Sequence, residues 1–314
     1  MPYRNSKLHA DRALEKASKE DPVVTGIVHP AKASSIIAVK EAVDAELIKP
    51  VLIGPKERIK EAAQEAEVEI GSWKLINTDH SHASAQIAAD MAAEGKLEAL
   101  MKGSLHSDEI LRSVITHPKL KTERRMSHVY SMDVRTYHKP FWITDAVINI
   151  TPDLQTKADI IQNAVDLWCA IHDEDEVAKV AILAAVESVN SKMQATIDAA
   201  CLCKMADRKQ ITGRIKVDGP LAFDNAISKE AAIQKGIESD VAGDPDILVA
   251  PDLVSANIMC KELTFIAEAE AAGLVVGAKI PVILTSRADS VRTRILSCAL
   301  AVQHAVARKE GRIK

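Results

Sequence analysis

At 314 residues the chain is longer than one core comfortably fills, so two domains sharing a cleft are expected. The apolar content is 47%, mostly Ala, Val, Ile and Leu, and with aromatics at 3% the chain lacks the base-stacking platforms that single-stranded nucleic acids need. A formal charge of −4 argues equally against nonspecific duplex binding, so any phosphate-bearing partner has to be met by a local cluster of charge.

Cys169, Cys201, Cys203, Cys260 and Cys298 lack the paired CxxC spacing of a structural zinc site and read as buried thiols of a reduced compartment. The first thirty residues carry charges of both signs with no apolar signal core, and no run of eighteen uncharged apolar residues occurs. The expectation is a soluble cytoplasmic protein with neither a membrane nor a nucleic-acid partner.

In chain order, an amphipathic helix over Ser6–Lys19 leads into a strand at Pro22–Val28, stopped by His29-Pro30, and a helix at Ala31–Ala45. The alternation continues with a strand at Pro50–Pro55, a charged helix at Glu57–Glu67, a strand at Trp73–Asn77 and a helix at His82–Glu94. A strand at Glu98–Ser104 and a helix at Ser107–Ile115 complete the pattern of a parallel, right-handed layered sheet. Lys102 and Gly103 fall at the carboxyl end of that strand. There Gly lets a ligand approach backbone N–H groups and Lys adds a mobile charge, although a solvated loop lysine fits the same pattern. His106 reads as a helix-cap or surface residue, and His80 and His82, without a carboxylate or cysteine cluster, do not make a metal site.

Beyond the basic stretch Lys119–Arg125, the alternation in Ser127–Val134 and Phe141–Asp145 suggests antiparallel strands near a crossover. Arg124, Arg125 and Arg135 are available to the phosphates of a nucleotide-like ligand. Val147–Ile150, which includes Asn149, runs into Thr151-Pro152-Asp153, a cap for a helix reaching Ile171. A second sheet follows: a strand in Val177–Val186, a helix at Met193–Ala206, a strand at Ile215–Asp218 with a turn at Gly219-Pro220, and a strand in Asp246–Leu253. From Asn257 a helix is expected to continue to Ala272, with Gly273 as its C-cap. The last strand, Pro281–Leu284, and the helix from Val291 to about Arg308 return to the first domain, which gives domains of 1–149 plus 276–314 and of 150–275. Between them lie Ser286 and Arg287, with Asp289 or Ser290 as the N-cap. A hydroxyl and a fixed positive charge at a strand-to-helix turn suit an anion site, where helix N–H groups are unpaired. Taken alone, the Ser-Arg pair also fits an ordinary loop.

The block Ile247–Leu253 followed by Asn257, the segment Asp218–Ser228, Met101-Lys102-Gly103, and Pro281 through Ser286-Arg287 resemble the phosphate acetyltransferase and phosphate butyryltransferase family. The resemblance runs in order over nearly the whole chain. It extends to the phosphate acyltransferase half of fused enoyl-CoA hydratase proteins, with no hydratase half in this sequence. It implies two α/β/α layered domains with the active site in the cleft between them, similar to isocitrate and isopropylmalate dehydrogenases. The implied reaction is acyl-CoA plus phosphate to acyl phosphate plus CoA, with CoA and acyl-CoA as substrates and no cofactor or metal.

In the resembling enzymes the Ser-Arg pair lies in the active site. That implies a role for the Ser286 hydroxyl towards the departing thiolate and for the Arg287 guanidinium towards phosphate or the developing oxyanion. Asn257 matches the Asn that follows the Pro-Asp-Leu block, which makes it the third catalytic candidate. Lys102, Gly103, Asp252, Asn149, Asp289 and Arg135 are the substrate-binding candidates. The chemistry asks for a held nucleophile, a stabilised oxyanion and a donor for the thiolate, and these residue types can supply all three.

One position departs from the family. Some acetyl-transferring members have an acidic residue seven positions after the serine, and Thr293 stands there in this chain. Either phosphate enters as the dianion or a group such as Asp289 substitutes. The Thr-Ser-Arg-Ala-Asp-Ser form resembles the butyryl branch, whereas the fused relatives imply acetyl; acetyl is the first expectation for the acyl group and butyryl the alternative. A metal- and nicotinamide-dependent hydroxyacid dehydrogenase would need clustered aspartates and a cofactor loop, which are not found; a silent CoA-binding protein is the remaining alternative. Helices at Met193–Ala206 and Asn257–Ala272 are apolar beyond one face, which predicts a homodimer.

Overall fold

A computed structural model describes residues 7–284 and 289–313. The chain opens with α1 (Lys7–Ala17), β1 (Val23–Val28), α2 (Ala33–Asp44), β2 (Ile48–Gly54), α3 (Lys56–Glu65), β3 (Lys74–Asn77), α4 (Ser81–Ala93), β4 (Ala99–Lys102) and α5 (Ser107–Thr116). Next come β5 (Ser127–Asp133), β6 (Phe141–Thr144), α6 (Leu154–Ile171), β7 (Ala178–Leu183), α7 (Gln194–Asp207), β8 (Ile215–Leu221), α8 (Phe223–Ile227), α9 (Lys229–Gln234), β9 (Ile247–Val249) and α10 (Leu253–Phe265). β10 (Glu270–Val276), β11 (Val282–Ile283) and α11 (Val291–Lys309) close it.

Two compact units result: Ala10–Arg124 together with the chain from Ala272 onward, and Arg125–Ala271 together with the chain up to His9. In the first the strands run in the order β3-β2-β1-β4-β11-β10, parallel except where β10 meets β11. Ile27, Leu52, Leu100 and Met101 are at most 1% exposed, as strands covered on both faces by helices require, and each such side chain contributes about 1.5–3 kcal/mol by leaving water. The register aligns Val28 with Lys102 and Ile283 with Met101, so β1, β4 and β11 end along one edge.

At that edge the chain crosses itself closely. Gly103 N–H donates to Val28 O and Ser104 N–H to His29 O, both at 2.9 Å. A Cβ on Gly103 would stand 2.6 Å from Val28 O and 2.7 Å from His29 O, so only glycine fits without moving backbone.

The second unit orders its strands β5-β6-β9-β7-β8, all parallel except β5, which runs antiparallel to β6. Its core gathers Met132, Phe141, Ile143, Leu183, Leu248 and Cys260 with their neighbours. The compact units divide at 124/125 and 271/272, where the sequence drew 149/150 and 275/276. The cause is the β5–β6 hairpin, whose β6 pairs with β9 through Ile143 and Leu248 and so belongs with Arg125–Ala271.

Several local expectations change. The helix expected to reach Ala272 ends at Phe265, and the alanine-rich Glu270–Val276 is a strand buried from Ala271 onward, so burial in a sheet overrides alanine's helical preference. Gly273 is therefore no C-cap; its N–H donates to Ser297 Oγ at 3.0 Å. The turn expected at Gly219-Pro220 lies inside β8. All five cysteines are free thiols, but only Cys260 and Cys298 are buried. Among the described residues no helix is long and apolar enough to cross a membrane.

Two predictions follow from this packing. Gly103→Ala should destabilise the protein by about 1–3 kcal/mol in urea titrations, because the oxygens it meets belong to the backbone. His128 and His304 are buried at 1% and 4% exposure, and burial takes each from its ordinary 6.5 to about 3, with Arg308 adding to the effect at His304. Folded chains hold both rings neutral while unfolded chains protonate them below 6.5, so their contribution is full above 6.5 and lost as pH falls towards 3. The urea midpoint should drop on acidification through that window, and drop less in His304→Asn.

Candidate active site

In the first unit a cavity of about 350 Å³ opens at the shared strand edge, lined among others by Lys32, Ser35, Lys102, Gly103, Ser104 and Arg294. It collects the start of α2, the turn after β4 and the start of α5, because right-handed βα connections deliver helix N-termini to the carboxyl ends of parallel strands. Neither the Lys32 nor the His106 side chain caps its helix, so backbone N–H groups there remain available to an anion. Lys102 Nζ lies 3.4 Å from both Gly103 O and Leu105 O, which holds the ammonium over the glycine turn, and Ser35 Oγ meets Ser104 Oγ at 3.1 Å. The lining includes three cationic side chains and no carboxylate.

Arg294, which the sequence reading did not single out, is matched by Glu41: Nε to Oε2 and Nη2 to Oε1 are both 2.8 Å, with the side chains 14% and 16% exposed. Its Nη1 donates to Asp289 O at 2.6 Å, so α2 and α11 jointly hold the residue ahead of the last helix. Asp289 thus enters through its backbone oxygen. Ser290 is the N-cap of α11, accepting from Thr293 N–H at 3.1 Å, and its hydroxyl also meets Thr293 Oγ1 at 3.0 Å. Ser286 and Arg287 lie outside the described residues.

The histidines of this unit serve local structure. His80 caps α4 by accepting from Ala83 N–H at 3.1 Å, and His82 Nε2 lies 3.3 Å from Glu109. His29 meets Ser84 Oγ at 3.2 Å, with burial first and then Arg58 lowering its pKa. Among the described residues no group of three or more His, Cys, Asp or Glu side chains is placed to hold a metal ion.

In the second unit, Asp145, Asn149, Asp252 and Asn257 gather at the carboxyl ends of β6 and β9. Asp252 is the N-cap of α10, its Oδ1 accepting from Ser255 N–H at 2.9 Å. That cap starts the helix on which Asn257 stands, and Asn257 Nδ2 donates to Ala146 O at 3.0 Å. Asn149 Nδ2 donates to Met126 O at 2.8 Å and to Asp145 Oδ2 at 2.7 Å, so both of its amide hydrogens shape the loop. Asp145 itself accepts several N–H groups; the sequence marks it only as a carboxylate directly after a buried strand. Burial raises its pKa against the lowering effect of those hydrogen bonds. Arg135 is not part of this group. It follows β5 at the opposite strand ends, with Nη1 3.8 Å from Glu268 and two-thirds of its side chain exposed.

Residues 81–302 match the family model described as "Phosphate acetyl/butaryl transferase". A phosphate acetyltransferase of Rhizobium meliloti is 49% identical over 304 residues, covering 96% of this chain and 95% of that protein. A phosphate butyryltransferase of Clostridium beijerinckii is 39% identical over 267 residues, covering 84% and 87% respectively. The crystal structure of a branched-chain phosphotransacylase from Enterococcus faecalis V583 superposes with a TM-score of 0.76 at 28% identity, covering 90% of this chain and 99% of that one. A basic cavity at a strand edge, a polar group at the ends of β6 and β9, and these matches together place the chain in the phosphate acetyl/butyryl transferase family of acyltransferases.

Proposed function

We propose that the protein exchanges an acetyl group between CoA and inorganic phosphate, acetyl-CoA plus phosphate giving acetyl phosphate plus CoA, reversibly. The cavity of Lys32, Lys102 and the Gly103 turn carries this reading, because it offers cations and helix N–H groups to a small anion. The 49% identity to a phosphate acetyltransferase supports acetyl as the acyl group. A phosphate oxygen attacks the thioester carbonyl carbon; the C–O bond forms, the C–S bond breaks, and CoA leaves as the thiolate. Lys102 and the helix N-termini hold the phosphate and spare it the entropy of a bimolecular encounter. Arg287 stabilises charge on phosphate or on the carbonyl oxygen, Ser286 meets the thiolate, and Asn257 offers its carboxamide to the reacting groups. Neither a metal nor a cofactor takes part. Butyryl-CoA is the alternative substrate, supported by the 39% identity to a phosphate butyryltransferase.

The isocitrate dehydrogenase-like two-domain layout and a cytoplasmic location belong to the same proposal, as does a homodimer. The dimer is supported by α10, where Val254, Ile258, Phe265 and the adjoining Ile266 are 53–79% exposed along one side of the helix.

Thiol release should follow addition of phosphate to the protein with acetyl-CoA, in excess chelator, faster than with propionyl- or butyryl-CoA. Strict dependence on phosphate is the discriminating result, and a rate requiring one divalent ion would reject the mechanism. Arg287→Gln should lower kcat about a hundredfold, roughly 3 kcal/mol, with a smaller change in KM for CoA, and Arg287→Lys should recover part of it. Light scattering at micromolar concentration should give twice the chain mass; the mass of one chain would refute the dimer.

A further inference from the structure

The carboxylate of Asp145, 4% exposed, is enclosed by N–H donors. Oδ1 accepts from His128 N at 3.2 Å, Val147 N at 3.0 Å and Ile148 N at 3.1 Å. Oδ2 accepts from Asn149 N at 3.0 Å and Asn149 Nδ2 at 2.7 Å. Three consecutive backbone N–H groups of the loop after β6 thus converge on one side chain, and a fourth comes from β5. Rotating any peptide of that loop would take a donor away from the buried carboxylate.

The fixed loop has one outward connection that bears on the chemistry. Ala146 lies between the carboxylate's own residue and the first N–H it holds, so the direction of the Ala146 carbonyl is set. That carbonyl accepts from Asn257 Nδ2 at 3.0 Å. The loop is tied to the same helix again where Leu253 N–H donates to Ile150 O at 3.2 Å. A carboxamide turns readily about its terminal torsion, and a single firm acceptor on its nitrogen decides where its oxygen and its second N–H point.

We propose that Asp145 is a positioning residue for acyl transfer: through the 146–149 loop and the Ala146 carbonyl it aims the Asn257 carboxamide at the reacting groups. This rests on the acyltransferase reading above and on Asn257 acting in it. Asp145 does not touch substrate. It gives the loop one conformation, and the loop gives Asn257 one rotamer.

A double-mutant cycle read by phosphate-dependent thiol release tests the proposal. Asp145→Asn keeps the shape but turns an NH2 group towards N–H donors. It should lower kcat at least about tenfold while KM for acetyl-CoA and phosphate stays within about twofold. Asn257→Ala should also lower kcat, and the double variant should fall within about twofold of Asn257→Ala alone, because nothing is left to aim. Equal losses from Asp145→Asn with and without the Asn257 side chain would make its role purely structural and overturn the proposal, as would a near-normal kcat. Should Asp145→Asn fail to fold, Asn257→Asp serves instead, since a carboxylate has no N–H for Ala146 O. Activity no better than that of Asn257→Ala is expected, and wild-type activity overturns the proposal. An active wild type unaffected by Asn257→Ala would sink the positioning role alone, whereas a wild type with no thiol release from any short acyl-CoA would sink the acyltransferase reading and the proposal with it.

Discussion

The register of β1, β4 and β11 is the constraint from which the candidate chemistry of the first unit follows. Parallel strands buried on both faces must satisfy every backbone N–H and C=O in the ladder, and where the ladder stops the loops inherit groups with nothing left to pair. Val28, Lys102 and Ile283 all reach the same edge, so those groups, the N-termini of α2 and α5 and Arg294 of α11 share one small region. A basic cavity is the outcome of that geometry as much as of the lysines themselves, and Gly103 is the point at which two chain segments come too close for any side chain.

The second unit meets the same problem differently. At the end of β6 the unpaired N–H groups are satisfied by the Asp145 carboxylate, and the chain bends around it to fill its acceptor sites. Asp252 does comparable work at the end of β9 by starting α10. The first unit leaves donors available for an anion; the second spends them on rigidity and passes the result to Asn257.

Much of this was legible in the chain itself. β1, β2 and β4 are apolar runs ended by His-Pro, Gly-Pro and Gly, and the pattern exposes both their type and their stops. Lys102 and Gly103 followed from that placement. Glu270–Val276 departs from the expected helix because the helical preference of Ala271 and Ala272 is overruled by burial and by strand pairing, as between Val275 and Val282, which local sequence does not show. Arg294 and Glu41 are 253 residues apart, and no spacing rule connects them. Asp145 escaped for a related reason: the value of a carboxylate to a loop depends on the path of the next four residues, which the residue types do not spell out. Arg135 looked suitable as a cation, but β5 runs antiparallel and carries it to the other end of the strands.

The shielding of three thiols affects how turnover can be followed. Disulfide reagents react with thiolate, and desolvation pushes Cys203, Cys260 and Cys298 up to about 12, with Asp218 adding to the effect at Cys203 and Glu41 at Cys298. At pH 8 only about one in ten thousand of each is ionised. Free CoA, an unhindered thiol in water, therefore reacts far faster than these three.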